Sequence, residues 1–121
     1  METSELSMFT ILSSATLLEA AKTIESNKSR TVVVVEDCET NKALGILSEG
    51  DILRLLIQGV DVRSSISEYM KVSFKYFEEG AVDMIKAREL FVTRGFGLIP
   101  VVDKDMQLIS VVTMLDCLQN T

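Results

Sequence analysis

The strongest constraint on this chain is that it repeats itself. Val34-Val35-Glu36-Asp37, a polar turn and then Leu44 to Leu53 recur as Val101-Val102-Asp103-Lys104, a turn and Ile109 to Leu118. Within that match Ser48 answers Thr113 and Asp51 answers Asp116, each 65 residues on. The helix before it also recurs, Ala21-x-x-Ile24 as Ala87-x-x-Leu90 and Leu18 as Met84, at a shift of 66. Such small changes of offset belong in turns, where insertions are tolerated. A unit of roughly 60 residues is at the size where a lone core is marginal, so the two copies should pack on one another as a pseudo-twofold pair. That packing leaves two related clefts, each lined by a strand end and the start of a helix.

Each copy reads as helix, strand, strand, helix. In the first, Leu17, Ala20, Ala21 and Ile24 recur at helical spacing behind Thr16-x-x-Glu19, a capping box, which predicts a helix over 16–27. The β-branched run Thr31 to Val35 predicts a buried strand. A polar turn over 37–42 leads to a second strand over 43–47, and Ser48 opens a helix through Ile57 that stops near Gly59. After a connector over 60–71, the second copy predicts a helix over 81–93 with Met84, Ala87, Leu90 and Phe91 on one face. Gly95-Phe96-Gly97 breaks it; strands follow over 98–102 and 107–112 around the turn Asp103-Lys104-Asp105, then a helix over 114–119.

Composition removes several classes of function. With 121 residues, 47% hydrophobic and 25% charged, the chain is one ordinary globular domain in size and can bury a core. Its net charge of −6 argues against nucleic acid, whose binding rests on Lys and Arg neutralising phosphates. No apolar run approaches the roughly 18 residues of a membrane span, and the N-terminus is acidic where a secretory signal would be basic, so a cytoplasmic location is the expectation. Cys38 and Cys117 have neither metal nor redox spacing and read as free thiols. The chain has no histidine, no nucleophile elbow and no metal-ligand cluster, so neither catalysis nor a metal is expected. Gly95-x-Gly97 lacks the third glycine and the following helix of a dinucleotide fingerprint, and Asp103-Lys104-Asp105 lacks the glycine and distal acid of a calcium loop.

The pattern that bears chemistry is strand, Ser48-x-x-Asp51 or Thr113-x-x-Asp116, then helix. A hydroxyl and the first N–H groups of a helix attract an anion such as phosphate, and a carboxylate one turn later can accept both hydrogen bonds of a ribose diol. Either copy alone is also a plain capping box. Lys28, Arg30 and Arg54 near the first motif, and Arg94 before the second central strand, are candidate phosphate cations, with ordinary solvated charge as the alternative.

In these residues the chain resembles the tandem cystathionine-β-synthase (CBS) domain pair, or Bateman module. The resemblance rests on Thr16-Leu17-x-Glu19-Ala20-Ala21, Gly45-Ile46-Leu47-Ser48-x-x-Asp51-Ile52-Leu53-Arg54, Ile66-Ser67-Glu68-Tyr69-Met70, Leu98-Ile99-Pro100-Val101-Val102-Asp103 and Val111-Val112-Thr113-x-x-Asp116. It implies an α/β fold of two βαββα repeats, over 1–64 and 65–121, packed with pseudo-twofold symmetry. It implies a regulatory sensor of AMP, ADP, ATP or S-adenosylmethionine, with no other cofactor, acting on a protein partner or a fused catalytic domain. By resemblance Ser48 and Thr113 would touch phosphate, and Asp51 and Asp116 the ribose; the adenine would lie against Ser29 to Thr31, Phe96 to Leu98 and Met70. Family members commonly form homodimers through their helices, for which Ile52 to Ile57 is the candidate surface, although those residues could equally be core. The chain departs from the family in Ser110, where glycine is frequent, in the apolar Met114 and Leu115, and in Val33, where proline is frequent. Unequal sites are therefore expected. Two rivals remain, a dimerisation scaffold without ligand and the regulatory piece of a larger enzyme such as a nucleotidyltransferase.

Overall fold

The computed structural model describes residues 3–119. A short helix α1 (Thr3–Leu6) leads into two copies of one unit: β1 (Thr10–Leu12), α2 (Leu17–Asn27), β2 (Thr31–Val35), β3 (Ala43–Ser48) and α3 (Glu49–Ile57), then β4 (Phe77–Glu78), α4 (Met84–Arg94), β5 (Leu98–Val102), β6 (Leu108–Thr113) and α5 (Met114–Gln119). Each copy has a three-stranded sheet, ordered β1-β2-β3 and β4-β5-β6, with the first pair parallel and the second antiparallel. The leading strands β1 and β4 complete the βαββα pattern; at two or three residues they are too short to show a period of their own.

The helices begin and end where local chemistry dictates. Thr16 caps α2 through a capping box with Glu19, and α2 ends on Lys28 in the left-handed region. The α4 helix starts at Met84, three residues later than its apolar face suggests, because Asp83 accepts from the backbone N–H groups of Ile85 and Lys86 and so sets the cap. Gly95, at φ +67°, ends it. Asp37 and Asp103 tighten the two β-turns by accepting from backbone N–H groups two to four residues on.

Both central strands are buried along their whole length because both faces are covered. Val32 and Val34 meet α2 and α3 through Leu17, Ala20, Ile24 and Ile52, and Ile99 and Val101 meet α4 and α5 through Ala87, Leu90, Phe91 and Cys117. The opposite faces, Val33 and Val35 on one side and Leu98 and Val102 on the other, pack together with Leu6, Ala43, Leu108 and Val111 into a core between the sheets. Val33 and Pro100 hold the same register position, opposite Ile46 and Val111. Packing crosses the boundary between the sequence copies: α1 lies on β6, and Ile66 of the connector is in the core of the first repeat.

The two turns also join edge to edge. Ala43 N–H donates to Met106 O and Leu108 N–H to Asn41 O, both at 2.8 Å. The 65-residue shift exchanges these two bonds, so the pseudo-twofold axis passes between them. Asn41 and Met106 both have positive φ, 53° and 64°. No helix among the described residues is long and apolar enough to cross a membrane.

Candidate functional site

Ser48 is the last residue of β3 and the N-cap of α3, so strand end and helix start coincide. Its Oγ accepts from Asp51 N–H at 3.1 Å, and Asp51 Oδ2 accepts from Ser48 N–H at 3.2 Å. The capping-box reading of this motif is therefore realised. Of the first three N–H groups of α3, that of Glu49 donates to Arg30 O at 2.8 Å and that of Asp51 to Ser48, so little of the helix start is left for an anion.

Asp51 carries more than the cap. Its other oxygen is shared by the Arg54 guanidinium and by Lys71 Nζ at 3.3 Å. Burial alone would raise the carboxyl's pKa; the hydrogen bonds from Ser48 and the Lys71 ammonium outweigh it and hold the group below its ordinary value. Lys71 arrives from the connector, pinned by two 2.9 Å backbone hydrogen bonds with Ile46. This close pass requires Gly45, since a Cβ there would lie 2.6 Å from Lys71 O.

Above this group opens a cleft of about 500 Å³ between the repeats. The first repeat contributes Thr31, Ile46, Ser48 and Asp51. The connector adds Lys71, Ser73, Phe74 and Lys75, and the second repeat the stretch from Arg94 to Leu98. Gly97 allows the two repeats to meet here, because a Cβ on it would fall 1.8 Å from Ser29 O and 2.7 Å from Thr31 Oγ1. Arg30 spans the same seam, donating to Gly95 O at 3.4 Å, and Arg94 lies over the Phe96 ring at 5.7 Å.

Of the residues singled out from sequence, Ser48, Asp51, Thr31, Phe96, Leu98 and Arg94 thus line one cleft. Ser29, Met70, Lys28, Arg30 and Arg54 fall outside the lining: Met70 packs beside Gly45, Lys28 is the exposed end of α2, and Arg54 is turned to Asp51. Lys71, Phe74 and Lys75 were not singled out. Their only sequence signal is a pair of lysines around a phenylalanine in an acidic chain, and the bridge to Ile46 that places Lys71 is not local.

The second motif repeats the cap but not the cleft. Thr113 N–H and Oγ1 donate to Asp116 Oδ2 at 2.8 and 3.1 Å, and Asp116 N–H donates to Thr113 Oγ1 at 3.3 Å. The adjoining hollow, about 410 Å³, is lined by Asp116 and Ser110 but not Thr113, with Val82, Met84, Val101, Val111, Val112 and Glu5. The departures Met114 and Leu115 point to solvent.

A sequence model of the CBS domain matches this chain twice, over residues 4–58 and 66–120. Protein MJ1225 of Methanocaldococcus jannaschii is 27% identical over 125 residues; the match covers 91% of this chain but 44% of that relative's length, so the chain spans less than half of it. Its crystal structure superposes on 92% of this chain and 45% of its own, with a TM-score of 0.74 at 26% identity. The CBS domain protein PAE2072 of Pyrobaculum aerophilum, complexed with AMP, has a TM-score of 0.73 at 21% identity, covering 88% of this chain and 80% of its own. CBSX2 in complex with AMP gives 0.73 at 20% identity, covering 92% and 84%. With the double match, the two like sheets and the paired strand–cap–helix motifs, this chain belongs to the CBS domain family, as a tandem pair.

Proposed function

We propose that the chain is a regulatory module that binds an adenosine nucleotide in the Ser48–Asp51 cleft and is not itself a catalyst. The observation that carries this reading is the convergence on one opening of a buried carboxylate suited to a ribose diol, an aromatic ring at Phe96, and the cations Lys71, Lys75 and Arg94. AMP in the related folds of PAE2072 and CBSX2 supports the choice of ligand class. Thr31, Phe96 and Leu98 form the base-facing wall, Asp51 takes the ribose, and Ser48 with the cations faces the phosphate. Thr113 and Asp116 hold the related position in the second motif, where Asp116 but not Thr113 lines the smaller hollow.

A ligand in this cleft touches both repeats and the connector, so it favours whichever relative arrangement it binds better, and only to that extent. That shift is the signal handed to a protein partner or a fused domain, in a cytoplasmic setting where adenylates report energy state. The module is a homodimer in this reading. Ile52 faces the core, while Leu53 and Ile57 are 58% and 77% exposed on α3, and Leu115 and Leu118 are 60% and 55% exposed on α5. Sedimentation of Leu53→Glu/Ile57→Glu as a monomer beside a dimeric parent supports that surface; identical sedimentation removes it.

The ligand test is thermal unfolding with AMP, ADP, ATP, S-adenosylmethionine, GTP and phosphate. A rise with adenosine compounds alone is the expected result. No rise with any of them leaves the ligand-free scaffold as the better account.

A further inference from the structure

The outer helix faces of the two repeats agree in their apolar residues and oppose one another in charge. Helices α2 and α4 are both 11 residues long and align start to start, as Val33 does with Pro100; this offset is one residue longer than their sequence match. On that alignment Leu18 stands where Ile85 does, Glu19 where Lys86 does and Lys22 where Glu89 does. Between α3 and α5, Leu53 stands where Leu118 does. All of these side chains are exposed. Two positions thus keep an outward apolar group in both repeats, and two invert their charge. Within α4 the inverted pair is only loosely joined, Lys86 Nζ lying 3.7 Å from Glu89 Oε2 with both side chains about half exposed.

We infer that these two faces fit one another, so that in the homodimer the first repeat of one copy seats on the second repeat of the other, head to tail. This rests on the homodimer reading above and deepens it. A twofold dimer of a pseudo-twofold chain can meet in two ways. Head to head, each helix face meets its own copy across the axis, so a position near the axis meets itself: Glu19 is set against glutamate and Lys22 against lysine. Head to tail, nearly the same geometry holds, because the pseudo-twofold makes the two faces alike. Glu19 is then set against Lys86 of the partner subunit and Lys22 against Glu89 of the partner subunit, and the twofold makes each contact twice. The apolar positions Leu18, Ile85, Leu53 and Leu118 serve equally in both arrangements, so they supply the association and the charges choose its direction. Like charges placed opposite one another penalise the wrong arrangement while unlike charges favour the right one.

Sedimentation of the full chain at low salt tests this, with Lys22→Glu, Glu89→Lys and the two combined beside the parent. Both side chains are exposed, so the fold should tolerate each change. Each single variant sets like charges opposite one another twice per dimer and should raise the dimer dissociation constant about tenfold. The combined variant exchanges the two charges and should return the constant to within about threefold of the parent. In a head-to-head dimer each single change only replaces one like-charge pair by another and leaves the constant where it was. Single variants that dimerise as the parent does, or a combined variant no better than the singles, overturn the head-to-tail arrangement and leave the homodimer standing. A parent that sediments as a monomer overturns both.

Discussion

Replacing Asp51 by asparagine separates the carboxylate's structural share from its ligand share. Without ligand, the substitution removes two ion pairs whose cationic partners, Arg54 and Lys71, are 63% and 57% exposed and resolvate readily. Two such pairs and the loss of negative charge at the start of α3 together amount to about 1–2 kcal/mol. With an unfolding entropy of ~2.1 cal/mol/K per residue over 121 residues, 1 kcal/mol corresponds to about 4 °C, so the unliganded variant should melt about 4–8 °C lower. Nucleotide at 100 times its dissociation constant adds about 2.7 kcal/mol to the parent, a rise of about 10 °C. A hydrogen bond to a charged acceptor is worth about 1.5–3 kcal/mol, so the amide should weaken binding about 100-fold. The same nucleotide concentration then adds only ~0.4 kcal/mol to the variant, under about 2 °C. Melting curves of both proteins, with and without ATP, read all four values. A variant that keeps the full 10 °C rise would show that the carboxylate is not at the ligand, and the site assignment would fail.

Three further outcomes follow from the same geometry. Gly97→Ala forces the two repeats apart where Ser29 O and Thr31 Oγ1 close on the cleft, and should cost about 1–3 kcal/mol together with the nucleotide-induced rise in melting temperature; an unchanged melt would mean that the seam is loose. Asp51's carboxyl lies below its ordinary 3.8, so its contribution to stability is fully present above about pH 5 and is lost as pH falls through the folded value. The gap in stability between parent and Asp51→Asn should accordingly be constant near neutrality and close in acid, and a gap that widens in acid would contradict the depressed value. Burial, with the charge of Asp116, raises the Cys117 thiol against the opposing effect of Arg88, while Cys38 is exposed. A thiol reagent should therefore label Cys38 at once and Cys117 only on unfolding, and fast labelling of both would refute the packing of α5.

Much of this architecture was legible because it is written twice. The capping box at Thr16, the strand over 31–35 and the helix over 114–119 appear where local pattern puts them, since caps and β-branched runs act within a few residues. The start of α4 lies three residues beyond that expected from the apolar pattern because Asp83, and not the apolar face, decides it. The strands β1 and β4 were invisible as residue patterns; they exist by pairing with a buried neighbour. In the candidate site, Ser48 and Asp51 could be read, being set by one strand end and one cap, whereas Thr31 came only with the family resemblance. Lys71 could not, because its place depends on a backbone bridge to Ile46 and on the absence of a side chain at Gly45. The apolar run from Ile52 to Ile57 showed no preference in sequence between core and surface, and the structure divides it: Ile52 inward, Leu53 and Ile57 outward.

The paired hydrogen bonds between Ala43 and Met106 and between Leu108 and Asn41 lie on the symmetry axis, where each copy meets its own counterpart. A change at such a place is felt by both halves together, so the duplicated gene must keep these positions compatible with one another. The cleft residues lie off the axis and meet no counterpart of their own. Substitutions in the Ser48–Asp51 cleft can therefore leave the shared frame undisturbed and need no matching change in the other repeat.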